Sequence, residues 1–181
     1  MKIPLLYGPR VTLRSLELSD APRYVRWFKD KEVIRYLLLQ TGITLKEERK
    51  YIRSLAHNKD HFNLAIITEN GKHIGGSGTT LYPKDKRADI GVVIGDKAEW
   101  GKGYSTEALN LIADYIFRKL KYNRLELTVS MDNKAALKAY KKVGFKLEGI
   151  KLKVHRNLIT KKFEDNGFMA ILSKDWLNKH K

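Results

Sequence analysis

Residues Ile90 to Phe117 read I-G-V-V-I-G-D-K-A-E-W-G-K-G-Y-S-T-E-A-L-N-L-I-A-D-Y-I-F. The apolar run Ile90 to Ile94 stops at Gly95 and predicts the end of a strand. After Gly101-Lys102-Gly103, the apolar residues Ala108, Leu111, Ile112, Tyr115 and Ile116 recur at helical spacing and predict a long helix. A strand, a glycine-rich turn and a helix in that order can form an anion site. The first-turn amides of a helix lack intrahelical partners, and its dipole favours negative charge there. Glycines let the backbone approach a phosphate closely, and Lys102 adds charge. The pattern suits equally well a plain crossover whose glycines only form the turn.

Upstream, Phe62 to Thr68 is a strand candidate, and Asn70-Gly71 is a hairpin turn signal. The next strand, about His73 to Leu81, contains Gly75, Gly76 and Gly78, which point to close backbone approach or a bulge. With Ala88 to Ile94 these strands make an antiparallel meander. Nearer the start, Val11 to Leu16 predicts a strand. Ser19-Asp20 and Pro22 open a helix through Tyr24, Val25, Trp27 and Phe28. A short helical piece covers Lys31 to Leu38. Thr44 and Glu47 have capping-box spacing ahead of a helix carrying Tyr51, Ile52 and Leu55.

Downstream, Leu125 to Val129 predicts a strand. Asn133 opens a helix through Ala136, Leu137, Tyr140 and Val143, which Gly144 ends. Phe145 to Leu147 begins a further strand, Lys153 to Lys162 reads as a loop or hairpin excursion, and Phe168 to Leu172 is a last strand. Lys174 to Leu177 reads as a frayed end. The fold class expected is α/β, one domain over residues 1–181, with a mixed, mostly antiparallel sheet flanked by helices.

The composition, 43% hydrophobic and 31% charged, is that of an ordinary globular chain. No apolar run approaches the roughly 20 residues that span a bilayer, and the first residues lack a secretory signal, so a cytoplasmic location without membrane contact is expected. With no cysteine, disulfides, a thiol nucleophile and thiolate metal ligands are excluded. The histidines show no compact metal-ligand spacing, so no metal is expected. The net charge of +16 comes from 36 basic and 20 acidic side chains and suits a polyanionic ligand or an acidic partner. The many lysines and arginines without cysteine are also compatible with a thermophile. The lysines are scattered and not interleaved with exposed aromatics, which disfavours nucleic acid as a partner. The glycine pair lacks the third glycine of a dinucleotide fingerprint, and no G-K-[ST] follows it.

Three segments carry a family resemblance. They are Trp100 to Ala108 (W-G-K-G-Y-S-T-E-A), Asn133 to Phe145 (N-K-A-A-L-K-A-Y-K-K-V-G-F), and the closing region with Glu148-Gly149, Arg156 and Asp165. With the opening Leu13-Arg14 strand they span nearly the whole chain. It resembles the GNAT family of acetyl-CoA-dependent N-acetyltransferases, within it the ribosomal-protein N-terminal and spermidine acetyltransferase branch. It departs from the family pattern at Ala98, where arginine or glutamine is usual.

The resemblance implies a set of roles. The backbone of Val92, Val93 and Ile94 would pair with the pantetheine arm where two strands splay apart. The amides of Gly101, Lys102, Gly103, Tyr104 and Ser105 would hold the pyrophosphate. Asn133 would contact the cofactor and also cap its helix. Tyr140 would sit by the sulfur and protonate the departing thiolate, and the Val93 amide would stabilise the oxyanion. A general base would take the proton of the amine, with Asp89, Glu17 and Glu32 as candidates. The first-ranked acceptor is a protein N-terminus of ribosomal-protein type, with ribosome association. A polyamine such as spermidine is the alternative, with Glu47, Glu48 and Asp60 as a local acidic patch; another small amine is a third. The chain would act as a monomer or homodimer. Outside enzymes, a basic nucleic-acid-binding module is the competing reading.

Overall fold

The computed structural model describes residues 3–37, 42–157 and 159–180. Eight strands form one sheet in the order β1-β2-β3-β4-β5-β6-β8-β7. They are β1 (Leu6–Tyr7), β2 (Val11–Ser15), β3 (His61–Thr68), β4 (His73–Tyr82), β5 (Arg87–Ile94), β6 (Arg124–Ser130), β7 (Lys146–Arg156) and β8 (Phe163–Leu172). The helices are α1 (Ala21–Lys29), α2 (Lys31–Ile34), α3 (Leu45–Leu55), α4 (Tyr104–Asp114), α5 (Lys134–Val143) and α6 (Ser173–Lys179). Every pairing is antiparallel except β5 with β6. Among the described residues no helix is long and apolar enough to cross a membrane.

The meander expected from Phe62 to Ile94 is present. Gly71 makes its first turn at φ 79°, a left-handed conformation that favours glycine. The glycines of β4 serve close approach. A Cβ on Gly76 would stand 1.9 Å from the Tyr24 hydroxyl, and one on Gly75 would stand 2.2 Å from the Val93 carbonyl oxygen. The β3–β4 register also shifts at Ile66/Ile67, as a bulge does. Tyr24 and Trp27 of α1 therefore pack closely against the sheet, in a small apolar cluster with Val33.

The main core lies on the opposite face. There α4 contributes Ala108, Leu109, Ile112 and Ala113, all fully buried. Helix α4 then widens into a π turn over Tyr115–Lys119, where Leu120 N–H bonds the Tyr115 carbonyl at 3.1 Å. The turn also buries Phe117, which the simple helical spacing did not select.

Asp20 is not a side-chain cap for α1. It is 1% exposed and accepts both guanidinium nitrogens of Arg14, at 2.7 and 2.8 Å, and the Glu17 N–H at 2.9 Å. The Arg14 guanidinium, the nearby His73 and the Glu17 amide outweigh burial and hold its carboxyl well below the usual range. The Thr44–Glu47 capping box is present at the start of α3. The piece expected over Lys31 to Leu38 is helical only to Ile34, and Leu38 lies outside the described residues.

The largest corrections fall at the C-terminal end. The excursion expected over Lys153 to Lys162 is the tip of the antiparallel β7–β8 hairpin, but its first residues, Lys153 to Arg156, still belong to β7, and β8 begins at Phe163. Strand β7 is an edge strand exposed along its length, with register shifts at Leu147/Gly149 and Lys151/His155. Neither of its faces is buried against the core. The expected frayed end is α6, anchored by Trp176, which is buried and stacks on His180 at 3.8 Å.

Candidate acetyl-transfer site

Strands β5 and β6 run parallel for three pairs only, Arg87 with Arg124, Ala88 with Leu125 and Asp89 with Glu126. Beyond them β5 continues against β4 alone and β6 against β8 alone. A wedge opens between two strands whose facing backbone edges have no strand partner. Unpaired backbone of this kind needs a hydrogen-bonding occupant, water or ligand.

Strand alternation decides which amides face the wedge. Gly95 N–H bonds the Ile74 carbonyl of β4 at 2.9 Å, and the Val93 carbonyl crowds Gly75 of the same strand. The Ile94 carbonyl points the other way and accepts the Trp100 indole N–H at 2.7 Å. Residues 91, 93 and 95 thus address β4, and Val92 and Ile94 address the wedge. This corrects the role expected for Val93: its amide belongs to the β4 ladder, and its side chain packs toward Tyr24 and Trp27.

The loop at the head of α4 is a second unsatisfied surface. Gly101 and Gly103 have φ of 77° and 86°, so the chain turns tightly into the helix. The first intrahelical-type bond there is Glu107 N–H to the Gly103 carbonyl. The N–H groups of Gly101 through Thr106 bond nothing among the described residues. Converging amides at a helix N-terminus are the geometry that takes a phosphate.

The loop is braced by residues the sequence reading did not assign. Arg10 bonds the Lys102 carbonyl at 3.1 Å and Glu107 Oε2 at 3.0 Å, and its guanidinium lies 5.1 Å from the Tyr104 ring centre. Glu107 Oε1 also accepts the Arg10 and Val11 amides. Glu99 accepts Lys72 and Lys102, each at 2.8 Å. Arg10 and Glu107 lie 97 residues apart, and no local spacing signals such a pair. The free amides, the tight glycine turn and the open β5 edge fit acetyl-CoA. The loop amides would hold its phosphates, and the Val92 and Ile94 backbone its arm.

Asn133 occupies the N-cap of α5, where its side chain accepts the Ala136 N–H at 3.1 Å. Further along the same helix, Tyr140 is 9% exposed, and its hydroxyl makes no hydrogen bond among the described residues. Burial, then the charge of Asp89, pushes its pKa up to about 12. The phenol therefore keeps its proton at neutral pH. Asp89 stands at the last β5–β6 pair, where the wedge begins, and forms no ion pair among the described residues. Burial first and Glu126 second raise its pKa above the ordinary aspartate value.

The other base candidates are elsewhere. Glu17 is exposed, and its contacts are local, with Ser19 and the start of the first helical turn. Glu32 is exposed and paired with Lys97, which also binds Asp30 at 2.9 Å. Of the expected acidic patch, Glu47 is used in the α3 capping box. Glu48 is buried and its pKa raised by that burial. Among the described residues no cluster of metal-ligating side chains occurs.

The fold and this wedge define an acyl-CoA-dependent N-acetyltransferase. Residues 10–146 match the family model described as an acetyltransferase (GNAT) domain, and the chain belongs to that family. It is 32% identical to the spermidine N(1)-acetyltransferase of Escherichia coli, over 94% of this chain and 90% of that protein. It is also 32% identical to the uncharacterized N-acetyltransferase p20 of Bacillus licheniformis, over 80% of this chain and 84% of that one. A tubulin N-acetyltransferase of Drosophila melanogaster is 26% identical over 77% of each. The solved spermidine N-acetyltransferase of Vibrio cholerae, in complex with CoA and spermine, superposes with a TM-score of 0.87. It covers 94% of this chain and 99% of that one at 20% identity, a likeness of fold. The chain is an acetyl-CoA-dependent enzyme, and the nucleic-acid-binding reading gives way.

Proposed function

We propose that the chain acetylates the primary amine of a small polycationic acceptor of the polyamine class, by direct attack in a ternary complex. This reverses the order expected from sequence, where a protein N-terminus came first. The observation that carries the chemistry is the wedge between β5 and β6, with unpaired Asp89 and protonated Tyr140 beside it. The acceptor class is supported by the relative of Escherichia coli.

Acetyl-CoA supplies the acetyl group as a thioester. Asp89 takes the proton that the amine must lose before it can attack, directly or through water. Its raised pKa brings its basicity closer to that task. The Val92 and Ile94 N–H groups donate toward the wedge, where negative charge develops on oxygen. Tyr140 Oη holds the proton that the departing sulfur requires. No covalent intermediate on the protein is needed, in keeping with the missing cysteine. A protein amine, such as an N-terminus, is the second reading; the relative named for acetylating tubulin supports a protein acceptor.

The test is thiol release from acetyl-CoA with spermidine, putrescine, an aminoglycoside and peptides of varied N-terminus. Turnover concentrated on spermidine and putrescine supports the proposal. Turnover concentrated on peptides overturns the acceptor class and leaves the chemistry standing.

A further inference from the structure

We propose that Glu164 forms a subsite for a second ammonium group of the acceptor. This rests on the polyamine reading above. Beyond the last β5–β6 pair, β6 carries Leu127 and Val129 into the main core. Thr128 and Ser130 therefore face the other side of the sheet, on the far wall of the wedge that begins at Asp89. A small cavity opens there, lined by Tyr36, Thr128, Ser130, His155, Glu164 and Asn166.

Glu164 is 6% exposed. Among the described residues its one hydrogen-bond partner is the Ser130 hydroxyl, which donates to Oε2 at 3.0 Å. Oε1 has no partner among the described residues, and no lysine or arginine lines the cavity. His155 stands across from Glu164 in the β7–β8 register, and no ion pair joins them. In a chain of net charge +16, a carboxylate 6% exposed with no lysine or arginine partner among the described residues stands out. Burying it uncompensated is costly. A ligand ammonium supplies the missing cation, and the hydroxyls of Tyr36, Thr128 and Ser130 and the Asn166 amide oxygen are acceptors suited to its N–H groups. The requirement is for an acceptor with two cationic nitrogens, one delivered to Asp89 and the other held at Glu164.

The experiment compares spermidine, long enough to reach from Asp89 toward Glu164, with butylamine on wild type, Glu164→Gln and Glu164→Asp, using initial rates of thiol release. Thermal melts and acetyl-CoA affinity verify folding. Wild type should prefer spermidine. In Glu164→Gln that preference should fall roughly tenfold to hundredfold, through KM, the effect of removing one charge-assisted hydrogen bond. Glu164→Asp, which keeps the charge, should recover part of it. A folded Glu164→Gln that keeps the full preference overturns the subsite while the polyamine reading stands. A wild type that prefers butylamine also overturns the subsite. A wild type that acetylates neither amine removes the polyamine reading and the subsite with it.

Discussion

Gly95 follows directly on Ile94, and Trp27 lies over it. A Cβ built on Gly95 would stand 2.1 Å from Trp27 Cδ2, 2.4 Å from Cγ and 2.5 Å from Cε3. Ordinary carbon contact is ~3.5 Å, so Gly95→Ala requires about 1.4 Å of separation. Gly95 is not among the residues of positive φ, so the cost is steric and not conformational. The ring has little room to retreat. Trp27 is 4% exposed and meets Tyr24 and His73 edge-on at 5.2 and 5.1 Å between ring centres. The Gly95 and Asp96 amides both bond the Ile74 carbonyl, which resists movement from the other side. Overpacking of this kind costs about 1–3 kcal/mol. Any relief displaces Ile94, so the acetyl-CoA KM should rise as well. A double-mutant cycle read by urea unfolding isolates the contact. Trp27→Ala alone should cost about 3–5 kcal/mol. Gly95→Ala added to it should cost less than about 0.5 kcal/mol, giving a coupling of about 1–3 kcal/mol. If Gly95→Ala costs the same with and without Trp27, the packing argument for how α1 fixes the end of β5 is refuted.

Three other outcomes are expected. Tyr140→Phe should lower kcat about 10²–10⁴-fold and leave acetyl-CoA affinity within about twofold; an unchanged kcat in steady-state assays removes Tyr140 as the acid. Gly103→Val places a β-branched residue at φ 86° in the phosphate loop. It should weaken acetyl-CoA binding at least tenfold by calorimetry, and equal affinity would contradict the loop assignment. Asp20→Asn leaves Arg14 and His73 without their shared carboxylate and should cost about 3–5 kcal/mol at neutral pH. Because the folded pKa of Asp20 is depressed from 3.8, its stabilisation is present above that value and is lost as pH falls below it. The gap between variant and wild type in chemical denaturation should therefore narrow progressively as pH falls from ~4 toward the lower folded value, and a gap that does not narrow over that range would contradict the linkage.

What the sequence disclosed follows from how local each signal is. The meander, the glycine turn into α4 and the Asn133–Gly144 helix are written in spacings of a few residues, and they fold as read. The parting of β5 from β6 was legible only through the family resemblance, because a gap between strands distant in sequence leaves no local pattern. The wedge-facing amides could not be assigned at all without the β4–β5 register, which is why the oxyanion role fell on Val93 and not on its neighbours. Arg10–Glu107 and Asp20–His73 join distant segments and were missed for the same reason. The exposed edge strand β7 does carry a strand period, with Ile150, Leu152 and Val154 alternating with Lys151, Lys153 and His155, but neither of its faces is buried. Glu164 looked like any solvated carboxylate until β6 and β8 were paired.

The most direct test of the account is the mass of spermidine after incubation with the protein and acetyl-CoA. The account predicts the gain of one acetyl group, at a rate that collapses with Tyr140→Phe. Spermidine left unmodified, while acetyl-CoA binds and an N-terminal peptide is acetylated, would contradict it.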